Sequence, residues 1–335
     1  MTDNARYLLR PSTPADLPAF ERMADSRAIG ITSLPTDRAA LRDRLERSAH
    51  AFESADDASG EEIYLFVLED RAEGGAIIGT SGVSAAAGFS DRFYCYRNEF
   101  TVHASPALGA RNRIHTLHLC HDLTGVTLLT GFYIDPAYEG TAAPQLLSRG
   151  RLLFISQFAD RFSDRIAAEN PGLADETGRC PFWDAVGRRF FDMDFSRAET
   201  LTGHGRHRSL IADLMPQTPI YVPLLPEETQ FAIGQLHPVA ELPFSILQDE
   251  GFDAETYVNI FDGGPTVEAR LAMLRSVRHA QAFTPGHKLV GAHLIANADR
   301  RGFRALLADT PSALSAADLR LLRADGAAPL MATAL

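Results

Sequence analysis

Lysine is almost absent from this 335-residue chain: of its 32 basic residues 31 are arginine, and Lys288 is the one lysine. A Schiff-base nucleophile or the phosphate-gripping lysine of a P-loop would have to be that residue. It stands in Thr284-Pro285-Gly286-His287-Lys288-Leu289, which lacks the G-x-x-x-x-G-K-[ST] spacing. Pyridoxal-phosphate chemistry and P-loop nucleotide hydrolysis are therefore not expected, and a bound phosphate must rely on arginine and backbone N–H groups. Coding bias is enough to explain the imbalance itself. Cysteine is also scarce. Cys95, Cys120 and Cys180 are odd in number and form no C-x-x-C, so neither a disulfide framework nor a structural zinc site is indicated. No apolar run approaches the ~20 residues of a membrane helix. The opening Met1-Thr2-Asp3-Asn4-Ala5-Arg6 lacks the pattern of a secretory signal. Unpaired thiols without a leader point to the reducing cytoplasm. A net charge of −11 argues against a nucleic-acid partner.

What is present suffices for a sizeable core, with 45% of residues hydrophobic and 22% charged. Tyr7-Leu8-Leu9 reads as a strand, followed by a turn and a helix carrying Phe20 and Met23. Leu41, Leu45, Ala49 and Phe52 are spaced as one face of a second helix. A strand-rich block follows: Ile63 to Glu69, Ala76 to Ala87, Tyr94 to Ala104, Ile114 to Asp122 and Thr127 to Ile134. A long helix is expected from near Gln145, with Leu147, Phe154, Phe158 and Phe162 on one face. Another is expected over Phe182 to Phe191, and a further one over Glu268 to Arg278. Short β-like runs after Phe283 suggest a small appended subdomain. The expected division is a core over 1–200, an α/β extension over 201–280 and a β-rich segment over 281–335.

The segment from Leu128 to Phe162 is the most informative. A strand ends at Asp135, and a short loop leads into the long helix. Free backbone N–H groups and the positive end of a helix make a natural pyrophosphate site there. Arg149 and Arg151 lie in the helix's first turns, within reach of phosphate oxygens. An ordinary strand–helix connection with surface arginines fits the local sequence as well.

His115, His118 and His121 recur every third residue. On the expected strand His115 and His121 share a face and His118 opposes them, which disfavours a three-histidine metal site. His121 precedes Asp122 and Thr124-Gly125 at a strand end, a position from which it could orient or deprotonate an amine. His103 is a second candidate, and each histidine is individually more ordinary as a structural residue. Cys120, flanked by apolar residues, reads as a small buried side chain. Asp262 in the Gly263-Gly264-Pro265 turn reads as a residue that shapes the turn.

The order strand, two helices, antiparallel strands, strand–loop–helix–strand–helix resembles the acyl-CoA-dependent N-acetyltransferase (GNAT) fold. Leu9-Arg10-Pro11-Ser12-Thr13-Pro14-Ala15-Asp16-Leu17 resembles its opening, and Tyr138-Glu139-Gly140-Thr141-Ala142-Ala143-Pro144-Gln145 occupies the place of its pyrophosphate loop. More specifically, Thr32-Ser33-Leu34-Pro35, Val102-His103-Ala104-Ser105, Pro181-Phe182-Trp183, Gly187-Arg188-Arg189-Phe190-Phe191 and Ile260-Phe261-Asp262-Gly263-Gly264-Pro265-Thr266 resemble the arginine N-succinyltransferase family. His121-Asp122-Leu123-Thr124-Gly125 and the C-terminal segment resemble most the alpha-type chains of its two-subunit arginine/ornithine members. The fold implied is α+β: a GNAT-like mixed sheet flanked by helices, with a C-terminal extension and a small β subdomain.

The resemblance implies succinyl transfer from succinyl-CoA to the α-amino group of L-arginine, with ornithine as an alternative acceptor. It requires no metal and no tightly bound cofactor. It also implies a beta-subunit partner or a homo-oligomer. On this reading the backbone of Phe132, Tyr133 and Ile134 stabilises the oxyanion, and Gly140, Arg149 and Arg151 hold the donor's phosphates. His121 or Glu169 serves as the base. Thr32 and Ser33 face the acceptor, Asp175 and Glu176 offer carboxylates to its guanidinium, and Arg97, Arg188 or Arg189 meets the succinyl carboxylate. One departure matters. Ala142 and Pro144 stand where such loops carry glycine, and Pro144 has no N–H. That leaves open a non-catalytic, structural subunit as the alternative.

Overall fold

The computed structural model describes residues 6–25, 34–35, 37–54, 59–202, 213–285, 289–308, 314–324 and 329–335. The strands are β1 (Tyr7–Pro11), β2 (Ile63–Asp70), β3 (Ala76–Ser84), β4 (Cys95–Ser105), β5 (Ala110–Cys120), β6 (Thr127–Ile134), β7 (Arg165–Glu169), β8 (Ile220–Tyr221), β9 (Asp253–Val258), β10 (Pro265–Arg270), β11 (Gln281–Phe283), β12 (His293–Asn297), β13 (Ala305–Ala308) and β14 (Leu330–Ala334). All fourteen form one sheet in the order β11-β14-β12-β13-β1-β2-β3-β6-β7-β10-β9-β4-β5-β8. Among the described residues β6 and β7 are the one parallel pair of neighbours. The mixed sheet flanked by helices expected from the sequence is present.

Local sequence explains the helices. In α2 (Arg38–Glu53) the Asp37 carboxylate accepts a hydrogen bond from the Ala40 amide at 2.8 Å, a helix N-cap. Leu41 and Leu45 pack with Leu17, Phe20 and Met23 of α1 (Leu17–Asp25) against Leu65 and Val67 of β2. On the opposite face lies α3 (Ala143–Gln157), with Pro144 in its first turn, where a missing N–H is least costly. Its Phe154 sits among Phe52, Tyr64, Phe66 and Phe303. Gly150 lets α3 approach β1 closely, since a Cβ there would lie 2.2 Å from Leu9 Cδ2.

Three expectations need correction. Glu268 to Arg278 is not one helix. Pro265–Arg270 is β10, inserted between β7 and β9, followed by a 3-10 turn over Leu271–Met273 and a short α-helix over Arg275–Arg278. Pairing on both sides outweighs a weak helical pattern. Phe182 to Phe191 splits into the helices Pro181–Ala185 and Arg188–Phe191. The break is at Gly187, where a Cβ would lie 2.2 Å from the Trp183 ring. Finally, the β-rich 281–335 does not stand apart. Its β13 pairs with β1 at Ala305↔Leu9, and Leu294, Ala296 and Phe303 belong to the same core as α3. Likewise β9 and β10 from 201–280 sit between β7 and β4, inside the sheet of the expected core. No helix among the described residues is long and apolar enough to cross a membrane.

Replacing Gly150 by Ala should lower stability by about 1–3 kcal/mol through overpacking against Leu9, measured by urea unfolding.

Candidate functional site

The parallel ladder between β6 and β7 runs only from Thr127↔Ile166 to Leu129↔Ala168. β7 ends at Glu169 while β6 continues to Ile134, so the two strands part and leave a gap. On its other side β6 carries a bulge: Gly82 faces Thr130 but Thr80 faces Tyr133, one residue too many on β6. Gly131 absorbs it at φ 57°, the left-handed region that favours glycine. The Asp135 amide donates to the Ile78 carbonyl of β3 at 2.8 Å. Strand alternation therefore turns the Ile134 amide the other way, toward the gap.

The loop from β6 to α3 is tied by its own polar groups. The Asp135 carboxylate accepts from the Ala137 amide at 3.0 Å. The Thr141 hydroxyl donates to the Tyr138 carbonyl at 2.7 Å and accepts from the Ala143 amide at 3.1 Å. Pro144 has no amide hydrogen. The amides of Gly140, Ala142 and Gln145 donate to no protein group among the described residues. They are the loop's remaining donors; in the sequence Ala142 stands out only as a departure from glycine, and Gln145 does not stand out as a donor. Nothing lies within 4 Å of a Cβ placed on exposed Gly140, so packing does not require glycine there.

Arg149 and Arg151 do not project toward that loop as the sequence suggested. Arg149 is 4% exposed; its Nε donates to the Glu250 carboxylate at 2.6 Å and its Nη1 to Gln145 at 2.5 Å. Glu250 is held in turn by the Ser276 amide and hydroxyl, each at 2.7 Å. Arg151 is 2% exposed. Its Nη1 donates at 3.4 Å to the carbonyls of Gly82 and Thr130, which flank the bulge, and its guanidinium lies over Phe132. Burial pulls its pKa below the ordinary arginine value. The physical reason differs between them: the C-terminal half covers Arg149 through Glu250, and Arg151 is buried against β3 and β6. Both arginines are internal fasteners.

Glu169 closes β7. It accepts from Asn259 Nδ2 at 2.7 Å and is half-buried. Ala167, two residues earlier, packs with Leu123 and Val126, away from the core that holds α3. Alternation places Glu169 on that same face, beside the gap. Buried Asp262 spans the neighbouring loops: its carboxylate accepts from the Gly172 amide at 2.9 Å and the Gly264 amide at 2.8 Å. It shapes the turn as the sequence indicated. Burial, with the charge of Glu169, pushes its carboxyl up to about 6.

His121 follows β5, is exposed and meets the Tyr94 ring edge-on at 6.1 Å. Its side chain has no hydrogen-bond partner among the described residues, and β5 stands four places from β7 in the sheet. His118 meets the Thr116 hydroxyl at 3.1 Å, and His115 pairs with Asn98 and stacks on Phe100. Asp175 accepts from the Thr177 hydroxyl and from the amides of Thr177 and Arg179, which holds its pKa below the usual carboxylate range. Asp175 and Glu176 are both exposed. Arg97 is paired with Asp122 and Glu99, and Arg188 with Asp184. Arg189 is exposed and has no ion pair among the described residues. Thr32, Ser33 and Lys288 lie outside the described residues.

Comparison with known proteins agrees with this arrangement. The model of a family described as arginine N-succinyltransferase beta subunit matches residues 7–276. A Pseudomonas aeruginosa protein named arginine N-succinyltransferase subunit alpha is 45% identical over 306 residues, 90% of each chain. An arginine N-succinyltransferase of Escherichia coli O139:H28 is 38% identical over 326 residues, 94% of each. The solved structure of arginine/ornithine succinyltransferase subunit AI from Pseudomonas aeruginosa superposes with a TM-score of 0.88 at 42% identity, covering 98% of both chains.

The raised Asp262 pKa has a consequence for stability. A carboxyl that is harder to ionise in the folded chain stabilises it below about pH 4, and that contribution is lost as pH rises through about 6. The stability of the native chain relative to Asp262→Asn should fall by about 2 kcal/mol between pH 4 and pH 7, read from urea midpoints.

Proposed function

The chain belongs to the arginine N-succinyltransferase family, and from that premise we propose that it transfers the succinyl group of succinyl-CoA to the α-amino group of L-arginine. The amine attacks the thioester carbonyl, the amide bond forms, and coenzyme A leaves as a thiol. The observation that supports this most directly is the gap between β6 and β7, with the Ile134 amide turned into it. In this reading that amide meets the developing oxyanion, a contribution of several kcal/mol in a water-poor site. Gly140, Ala142 and Gln145 offer their amides to the pyrophosphate at the start of α3. Holding both substrates in attack geometry supplies much of the remaining rate.

Glu169 is the proposed base, because it ends the strand that borders the gap and faces away from α3. His121 is the alternative. Asp175 and Glu176 remain the proposed partners of the guanidinium, and Arg189 that of the succinyl carboxylate. Ornithine is an alternative acceptor, and the working assembly pairs this chain with a beta-type subunit or a second copy in the cytoplasm. A second reading, a non-catalytic subunit, draws support from Pro144 and from the internal engagement of Arg149 and Arg151.

The test is thiol release from succinyl-CoA with arginine, for the chain alone and with a beta-type partner. Turnover in either arrangement is expected, and none in both overturns the enzymatic reading. Binding of succinyl-CoA by the isolated chain separates the two readings, since a non-catalytic subunit would show none. Glu169→Gln should lower kcat about 100-fold or more, as expected for loss of a general base. His121→Ala should change it less than about tenfold; the reverse ranking transfers the role to His121.

A further inference from the structure

The helix Arg275–Arg278 and the strands that follow it border an open depression of about 420 Å³ lined by Arg275, Arg278, His279, Gln281 and His293. Every ionisable side chain on its wall is a cation or becomes one on protonation. The chain carries 43 acidic residues against 32 basic ones, yet none of the acids lines this depression. Neither Arg275 nor Arg278 has an ion-pair partner among the described residues, so two cations are gathered without compensation. A second depression of about 320 Å³ shares Arg275 and is lined also by Arg149 and Asp249. Asp249 is already 3.9 Å from Arg149.

His293 makes this more than a solvated basic patch. It is 5% exposed, and its Nδ1 donates to the Gly291 carbonyl at 3.0 Å. That bond orients the ring and takes the Nδ1 hydrogen, so Nε2 donates to an anion in the protonated ring. A buried, oriented ring beside two uncompensated guanidinium groups matches the needs of an anion with several oxygens.

We propose that this depression binds a phosphate-type oxyanion, contacted by Arg275, Arg278 and His293. Two sources share that chemistry, a free small anion and the terminal phosphate of a nucleotide-bearing ligand. The site also has a mechanical connection. Ser276, inside the same helix, holds the Glu250 carboxylate that pairs with Arg149 of α3. Occupancy therefore bears on the helix whose first turn borders the proposed donor loop.

Inorganic phosphate titrated into the full-length chain at constant ionic strength, followed by calorimetry, should show saturable binding. Arg278→Ala should weaken it at least tenfold; Arg278 is exposed and unpaired, so this variant keeps its fold. His293→Gln should weaken it as well. No saturable binding by the native chain, or unchanged binding in both variants, overturns the proposal. Comparing coenzyme A with its 3′-dephospho form identifies the source. If Arg278→Ala weakens only the former, the anion is the ligand's own phosphate; if it weakens neither while inorganic phosphate is lost, the anion is free.

Discussion

The arrangement of this molecule depends on a ladder that stops early. Two parallel strands in the middle of a sheet normally satisfy one another's backbone groups along their length. Here β6 and β7 do so only as far as Leu129 and Ala168, and β6 runs on alone for five residues. A backbone left unpaired inside a protein is expensive, so each group beyond the parting needs an answer. On the β3 side of β6, where the bulge interrupts the other ladder, Arg151 of α3 reaches the carbonyls of Gly82 and Thr130. On the proposed function, the amides that face the gap meet the ligand. The strands on either side of the pair hold the opening apart, β10 by unbroken pairing with β7 and β3 by pairing with β6 interrupted at the bulge.

The second constraint is the burial of α3. A helix that borders a ligand loop in a smaller protein needs one apolar face. This one is covered on both, because β12, β13 and the helices Glu241–Glu250 and Arg275–Arg278 close over it. Covered arginines must then find partners inside. Arg149 does so through Glu250, itself fully occupied by Ser276 and Arg149. A buried pair of this kind adds little stability over an apolar pair, but removing one member leaves a stranded charge. Its service here is positional, since it fixes α3 against the C-terminal half.

Much of this was legible in the sequence where local pattern and final environment agree. Thr127 to Ile134 alternates as a strand and is one, residue for residue. Leu41, Leu45 and Phe52 mark a buried helix face and form it. The resemblance pointed to the right family. The misreadings have a common origin. Arg149 and Arg151 look like surface cations until their surroundings are known, and those come from Glu250 for the first and from the β3–β6 bulge for the second. Glu268 to Arg278 carries a weak helical pattern that two neighbouring strands override in its first residues. The bulge at Gly131 leaves no mark beyond a glycine in a strand. The buried carboxylate of Asp262 was recognisable as a turn residue, but its displaced titration comes from burial, which no local pattern records.

The order of strands also governs how the chain can be made. β7 receives its second neighbour from β10, whose residues leave the ribosome roughly a hundred positions later. β1, the first strand synthesised, waits for β13, near the end of the chain. At ordinary elongation rates of about 5–20 residues per second, the nascent protein exposes open sheet edges for many seconds. The two edges that stay open longest are the outer side of β1 and the side of β4 that receives β9. A chaperone that shields them during translation would therefore serve this protein more than one acting on the finished fold.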